Sequence, residues 1–194
     1  MLRRVAQGVV VAVLLAMLAG LALPRAWRVE RSVRIDAPRE RVQPAVASLR
    51  RWQAWAPWAK SDPKAVHSFV GPEAGPGARW QWSGPTLGHG ALTVLEATPA
   101  HVTLEGAIES DTVNTTSRFT FEPADEGTRV TWVDEGTLPR LGGLFVTRVE
   151  ARLGERLERG LALLKEVVER EPPPRPLPPP SSLEGLDAGV SAAP

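Results

Sequence analysis

The feature that most constrains the fold is the order in which hydrophobic periodicities follow one another along the central part of the chain. Residues 29–36 alternate apolar and polar side chains, as a strand with one buried face does. A helical segment comes next, in which Pro38 suits a first turn while Val42, Val46 and Leu49 share one face. The pattern therefore begins with one strand and one short helix.

Six further strands are predicted after a tryptophan-rich segment. Each is a short apolar run bounded by turn residues, which argues for separate strands and against one long helix. The predicted strands cover residues 65–70, 78–83, 90–98, 101–110, 116–123 and 128–136. Short connections between successive strands favour an antiparallel sheet.

The last predicted element is a long helix over about residues 141–170. Apolar side chains recur there at steps of three and four, so we expect one stripe of the helix to be buried. Gly154 and Gly160 interrupt this helix, although glycine in a helix interior costs up to about 1 kcal/mol relative to alanine. We expect a neighbouring group to approach closely at these positions. Strand, helix, six strands and long helix together predict the α+β class.

Three tryptophans, Trp52, Trp55 and Trp58, follow the first predicted helix at three-residue intervals. Because tryptophan buries a very large apolar area, the run must cover a large apolar surface. We interpret the run as a packing plug at one end of the fold and not as a binding box for a flat ligand. Trp58 is the member that we expect to depart from this role.

Residues 5–23 form an apolar run in which Gln7 is the one strongly polar side chain. At about 1.5 Å per residue, such a helix spans a hydrocarbon core about 30 Å thick. We expect residues 1–24 to be an uncleaved transmembrane anchor, with a signal peptide cleaved near residues 20–22 as the alternative. Arginines flank both ends of the run, so we expect a single-pass protein of the cell inner membrane with an exported domain, and a cytoplasmic domain stays an alternative.

Residues 171–194 are dominated by proline, serine, glycine and alanine. Such a segment cannot bury enough apolar surface to offset its ordering entropy, so we expect a disordered tail. A proline-rich ligand for an aromatic-lined groove is the alternative. These limits leave residues 25–170 as one folded domain.

Composition excludes several functional classes. Lys and Arg number 23 against 22 Asp and Glu, so nothing in the charge balance favours nucleic acid as a partner. The chain has no cysteine, which excludes disulfides, thiolate metal sites and cysteine nucleophiles. The histidines His67, His89 and His101 are too dispersed for a local metal motif, and no nucleophile elbow or phosphate loop is present. We therefore predict no cofactor, no metal and no catalytic residue.

A group of carboxylates offers the one candidate for proton chemistry. Glu105, Glu109 and Asp111 lie near the end of a predicted strand, where the mouth of a pocket could lie. A buried carboxylate at that place could act as a general base. The ordinary interpretation is that all three are solvated.

Several stretches of the chain resemble the SRPBCC superfamily (START-related, polyketide cyclase-like), in particular its bacterial members with an N-terminal hydrophobic segment. They are RVERSVRIDAPRERV, WQAWAPWAKSDP, GARWQWSG, GHGALTVLEATP, FTFEPADEGTRVTWVDEGT and GERLERGLALLK, which together cover roughly residues 27–170. The resemblance implies a helix-grip fold, in which a curved antiparallel sheet wraps around a long C-terminal helix and encloses an elongated apolar cavity. Arg156 is a departure, because an acidic residue is common there in the family.

The two-residue period of the strands and the apolar stripe of the last helix indicate which side chains share an inward face. The resemblance implies that this face borders the cavity; the alternative is that these side chains pack together as a dry core. The predicted cavity-lining residues are Trp58, Trp80, Trp82, Leu92, Val94, Leu104, Ile108, Phe119, Phe121, Val130, Trp132, Leu153, Leu157 and Leu161.

The resulting hypothesis is a membrane-tethered binding or carrier domain for a hydrophobic small molecule, which would be a lipid, an isoprenoid or a polyketide-like compound. This function needs a cavity and no catalytic group. An enzyme similar to polyketide cyclases and dehydratases is the first alternative, and it requires polar groups in the cavity that move protons. A non-catalytic interaction module with a filled core is the second, and the oligomeric state stays open.

Overall fold

The computed structural model describes residues 2–108, 113–140 and 142–172. The strands within these residues are β1 (Ala26–Ile35), β2 (Val66–Val70), β3 (Arg79–Gly84), β4 (Gly88–Ala97), β5 (His101–Ile108), β6 (Val113–Ala124) and β7 (Gly127–Thr137). The helices are α1 (Leu2–Ala22), α2 (Arg39–Ala47), α3 (Trp52–Trp55) and α4 (Val146–Arg170), and a 3-10 turn at Gly142–Phe145 precedes α4. The α+β class and the predicted order of elements are confirmed.

The strands form one antiparallel sheet in the order β1-β7-β6-β5-β4-β3-β2. Its first and last strands in the chain are neighbours, with Ala26 opposite Thr137 and Ile35 opposite Thr128. Because α1 precedes β1 and the 3-10 turn follows β7, both meet the sheet where Ala26 pairs with Thr137. We call this the α1 end of the fold and the opposite end, where Ile35 pairs with Thr128, the far end.

Helix α4 packs mainly along β1 and also contacts β7, α2 and α3. Its buried apolar side chains are Leu157, Leu161, Leu164 and Val168, which confirms the predicted stripe for the second half of the helix. The stripe does not extend to the start, since Val149 and Leu153 are half-buried and Phe145 is exposed. The second half of α4 therefore packs against the hydrophobic core, whereas the apolar side chains of its first half are only partly covered.

Helices α2 and α3 close the far end. Trp52 and Trp55 of α3 are fully buried, and their rings lie 4.4 Å apart between centroids. Their indole N–H groups donate to the carbonyls of Val46 at 2.8 Å and Ala45 at 3.2 Å. Both rings also pack edge-on against Phe119. The contacts agree with the packing role predicted for these two tryptophans.

Helix α1 exposes its apolar side chains along its length. Residues Arg3–Ala22 have a mean hydropathy of 2.4, and the 20-residue segment is long enough to cross a bilayer. An N-terminal signal sequence has the same length and composition, so either role fits the helix. Two predictions lie outside the described residues: the carboxylates Glu109 and Asp111, and the disordered tail from residue 173 onward.

Candidate functional site

A cavity of about 900 Å³ lies between the sheet, the segment that follows α3 and the first half of α4. The strand residues that line it lie from the middle of the strands toward the α1 end: Trp27 at the start of β1, Trp82 near the end of β3, and Trp132 at the middle of β7. Small-molecule sites commonly occupy about 300–1,000 Å³, so the cavity is large enough for one.

Seven of the fourteen predicted lining residues lie on the cavity wall: Trp58, Trp82, Leu92, Ile108, Trp132, Leu153 and Leu157. The other seven lie in the packed core and not on the wall: Trp80, Val94, Leu104, Phe119, Phe121, Val130 and Leu161. Both groups share the inward face, but the second group lies nearer the far end, which α2, α3 and the second half of α4 cover. Alternation identifies the face of a strand and not the point along it where core ends and cavity begins.

Glycines allow two tryptophan rings to lie directly against neighbouring backbone. A Cβ atom at Gly136, which pairs with Trp27 across the strands, would lie 2.7 Å from the Trp27 ring. A Cβ atom at Gly160 of α4 would lie 2.9 Å from the ring of Trp132. The close approach predicted at Gly160 is therefore confirmed, and it sets the spacing between α4 and the cavity wall.

Five tryptophans line the cavity, and four of them differ from Trp52, the fifth, in their hydrogen bonding. Among the described residues, no acceptor meets the covered indole N–H groups of Trp27, Trp58, Trp82 and Trp132. An unpaired buried donor costs about 1–3 kcal/mol. The cavity wall therefore contains four unpaired indole donors, whereas the indole N–H groups of Trp52 and Trp55 in α3 are paired.

Asp134 is a buried carboxylate on the cavity wall, with 8 % of its surface exposed. Ser117 lies opposite it on β6 and donates to Asp134 Oδ1 at 2.8 Å. Burial raises the pKa of Asp134 to about 6, although the hydrogen bond from Ser117 and the positive charge of Arg156 act in the opposite direction. A carboxyl group of this kind exchanges its proton near neutral pH, as a general acid or base must.

Asp134 is not among the residues predicted from the sequence, although the sequence contains a signal for it. Asp134 follows Trp132 by two residues, so the alternation that places Trp132 inward places this carboxylate inward as well. Glu105, one of the carboxylates predicted near the pocket mouth, lies on the exposed face of β5. His89 is also exposed, and His67 accepts a hydrogen bond from the indole of Trp80. Within the described part of the chain, no three His, Asp or Glu side chains group as metal ligands would.

Asp62 connects two segments at the rim of the cavity, the segment after α3 and the turn between β3 and β4. Its carboxylate accepts the backbone N–H groups of Thr86 at 2.7 Å and Leu87 at 3.0 Å, both of which line the cavity. These hydrogen bonds, that of Leu87 first, lower the pKa of Asp62. The segment that carries Trp58 and Ser61 is thereby joined to the turn between β3 and β4.

A cation lies beside the half-buried Trp58 at the same rim. The guanidinium carbon of Arg156 is 6.0 Å from the centre of the Trp58 ring, within the range of a cation–π contact. Arg156 and its neighbour Glu155 line the cavity from α4. The residue that departs from the family pattern therefore supplies a positive charge to the site, close enough to Asp134 to influence its pKa.

The chain matches a known protein family over most of its length. Residues 26–169 match a family model described as "Polyketide cyclase / dehydrase and lipid transport". A search of curated proteins finds no significant match.

Solved structures with a similar fold include CV1439 from Chromobacterium violaceum, with 17% identity and a TM-score of 0.55 over 74% of this chain and 98% of that one. CalU16 from Micromonospora echinospora shows 16% identity and a TM-score of 0.51 over 77% of this chain and 85% of its own. The Aha1 dimer from Colwellia psychrerythraea shows 16% identity and a TM-score of 0.54 over 74% and 96%, respectively. Similarity at these identities shows the helix-grip fold alone.

Proposed function

Because the chain belongs to the polyketide cyclase / dehydrase and lipid transport family, we propose that its cavity binds a hydrophobic small molecule. The observation that carries the proposal is a cavity of about 900 Å³ whose wall is mainly apolar, with tryptophan and leucine side chains and eight polar or charged residues. Apolar walls supply affinity through burial of the ligand surface, and isolated polar groups orient the ligand. A lipid or a polyketide-like compound fits this description.

The unpaired indole donors favour a ligand that carries oxygen acceptors over a plain hydrocarbon. An acceptor that reached one of the four covered N–H groups, after a small rotation of the ring, would relieve part of the cost of burying that group. Ketone, ester and carboxyl oxygens are suitable acceptors. The unpaired donors therefore support acyl lipids and polyketide-like molecules more than isoprenoid hydrocarbons.

The first prediction concerns the molecule that purifies with the protein. The full chain, produced in a membrane-containing host and purified in a mild detergent, is expected to yield one hydrophobic compound enriched over bulk lipid in an organic extract. Leu153→Trp adds volume at the cavity wall and is expected to reduce that compound several-fold, because the ligand and the indole would occupy the same space. Mass spectrometry of the extracts measures both.

Ala151→Trp is the matched control for this experiment, since it adds the same side chain to the same helix at an exposed position. It is expected to leave the amount of bound compound unchanged. Extracts that have the composition of the host lipids in all three proteins would contradict the binding proposal.

We propose further that α1 is retained and tethers the domain to a membrane. The helix is exposed, apolar and of spanning length. The second prediction is that the full-length protein stays in the membrane fraction after high-salt and alkaline washes and is released by detergent. A soluble form that begins near Leu23 would show instead that α1 is a cleaved signal.

Asp134 favours a second candidate function, an enzyme similar to cyclases or dehydratases. Its pKa of about 6 and its place on the cavity wall suit proton transfer to or from an enclosed substrate. The Asp134→Asn variant tests this alternative, because it keeps the shape of the side chain and removes the ionisable proton. A bound compound that changes from product to unconverted precursor would favour the enzyme. A bound compound that keeps its identity and amount would favour the carrier.

A further inference from the structure

The connection between α1 and the folded domain is short. Three residues, 23–25, separate the last residue of α1 from the first residue of β1. Since an extended residue spans at most about 3.5 Å, β1 begins within about 14 Å of the end of α1. If α1 spans a bilayer, the α1 end of the fold must therefore lie at the bilayer surface.

The 3-10 turn before α4 lies at the same end and presents two large apolar side chains to its surroundings. Leu144 is 47 % exposed and Phe145 is 58 % exposed. The turn is packed against the end of α1, because a Cβ atom at Gly143 would lie 2.8 Å from Leu23 Cβ and 2.9 Å from its carbonyl oxygen. The close contact holds Leu144 and Phe145 beside the last residues of the apolar helix.

Basic residues lie near this pair in the chain and at the same end of the fold. Arg25, Arg140 and Arg148 are exposed, and Arg25 donates to the carbonyl of Leu138 at 3.3 Å. Exposed apolar residues bordered by arginines are typical of a surface that lies in the headgroup region of a bilayer, where the guanidinium groups meet lipid phosphates.

The cavity lies directly behind this surface. Leu138 lines the cavity, and a Cβ atom at Gly142 would lie 2.5 Å from Leu138 Cβ. Val149, one turn after Phe145 on the same stripe of α4, lines the cavity as well. The side chains of Leu138 and Val149 thus separate the exposed pair from the cavity interior.

We propose that Leu144 and Phe145 insert into the leaflet that adjoins the end of α1, so that the cavity faces the lipid through Leu138 and Val149. The inference rests on the proposed membrane tether and adds the part of the domain that contacts lipid. A ligand that partitions into the bilayer would then reach the cavity without crossing water.

The absence of native cysteine makes a direct test simple, because a single introduced cysteine is the one labelling site. Phe145→Cys and Leu144→Cys carry a nitroxide label on the full chain, reconstituted in vesicles of phosphatidylethanolamine and phosphatidylglycerol. Val70→Cys is the matched control, since Val70 is 56 % exposed and lies at the far end of β2, the strand at the opposite edge of the sheet. The measurement is the collision rate of each label with oxygen and with a water-soluble nickel chelate.

Labels at positions 144 and 145 are expected to collide several-fold more with oxygen relative to the chelate than the label at position 70, because oxygen concentrates in the bilayer and the chelate is excluded from it. Equal ratios at all three positions, in protein that resists alkaline extraction, would overturn the inference and leave the tether intact. Protein that leaves the vesicles on alkaline extraction would contradict the tether itself and the inference with it.

Discussion

Replacement of Trp55 by alanine is expected to lower the free energy of unfolding by about 3–5 kcal/mol, the usual cost of truncating a fully buried aromatic residue. The side chain has no exposed surface, packs against Trp52 and Phe119, and donates its indole N–H to the carbonyl of Ala45. Since whole domains are stable by about 5–15 kcal/mol, the loss is a large part of the total. Urea unfolding of the full chain in detergent micelles, followed by tryptophan fluorescence, measures it.

Trp58→Ala is the matched comparison from the same sequence run. Trp58 is half-buried and lies on the cavity wall, so its truncation enlarges an existing cavity instead of opening a new void in packed core. The expected loss of unfolding free energy is about 1–2 kcal/mol, from the smaller apolar area involved. Equal losses at the two positions would contradict the division of the tryptophan run into a packing part and a cavity part.

The second large effect is expected at Asp134. Burial raises the pKa of this carboxyl from 3.8 to about 6, so the folded protein binds the proton more tightly than the unfolded chain does. The sign follows from linkage: stability is unaffected below about pH 4, falls as pH rises toward 6, and stays reduced above it. At about 1.4 kcal/mol for each pKa unit, the ionised carboxylate destabilises the folded protein by about 2–3 kcal/mol.

Asp134→Asn removes the ionisable group and keeps an acceptor for the hydroxyl of Ser117. The variant is expected to exceed the wild-type protein in unfolding free energy by about 2 kcal/mol at pH 8, with the difference vanishing near pH 4. Thermal unfolding at both pH values measures the difference. A difference that is the same at pH 5 and pH 8 would contradict the raised pKa.

Glu135→Gln is the control for this profile. Glu135 is the next residue in the chain, is exposed on the opposite face of β7, and pairs with Arg28 at 2.9 Å. Surface ion pairs contribute about 0–1 kcal/mol, so this substitution is expected to change the unfolding free energy by no more than that at pH 4 and at pH 8. A pH-dependent change in unfolding free energy at Asp134 but not at Glu135 would identify burial as its cause.

The same Asp134 variant bears on the choice between carrier and enzyme. A carrier needs the shape of the cavity and not the proton, so the amount of compound that purifies with the protein is expected to stay the same at pH 7. An enzyme needs the proton, so a bound product would be replaced by an unconverted precursor of different mass. Mass spectrometry of the two extracts distinguishes these outcomes.

The sequence determined by itself the order of the elements and the inward face of each strand. Strand alternation and the helical stripe are local properties, because each follows from the geometry of a single element and the tendency of apolar side chains to leave water. For that reason the seven strands, the terminal helix and the inward orientation of Trp82 and Trp132 could be predicted. The apolar length of α1 could also be predicted, and its role could not, because an anchor and a signal share that pattern.

The tertiary structure alone decided where the core ends and the cavity begins. Phe119 and Trp132 face the same side of the sheet and both belong to the core, yet only Trp132 also borders the cavity, because α2, α3 and the second half of α4 cover the far end. It likewise decided that Asp134 is desolvated and that Leu144 and Phe145 lie beside the end of α1. These properties depend on groups distant in sequence, so no period along one strand or helix contains them.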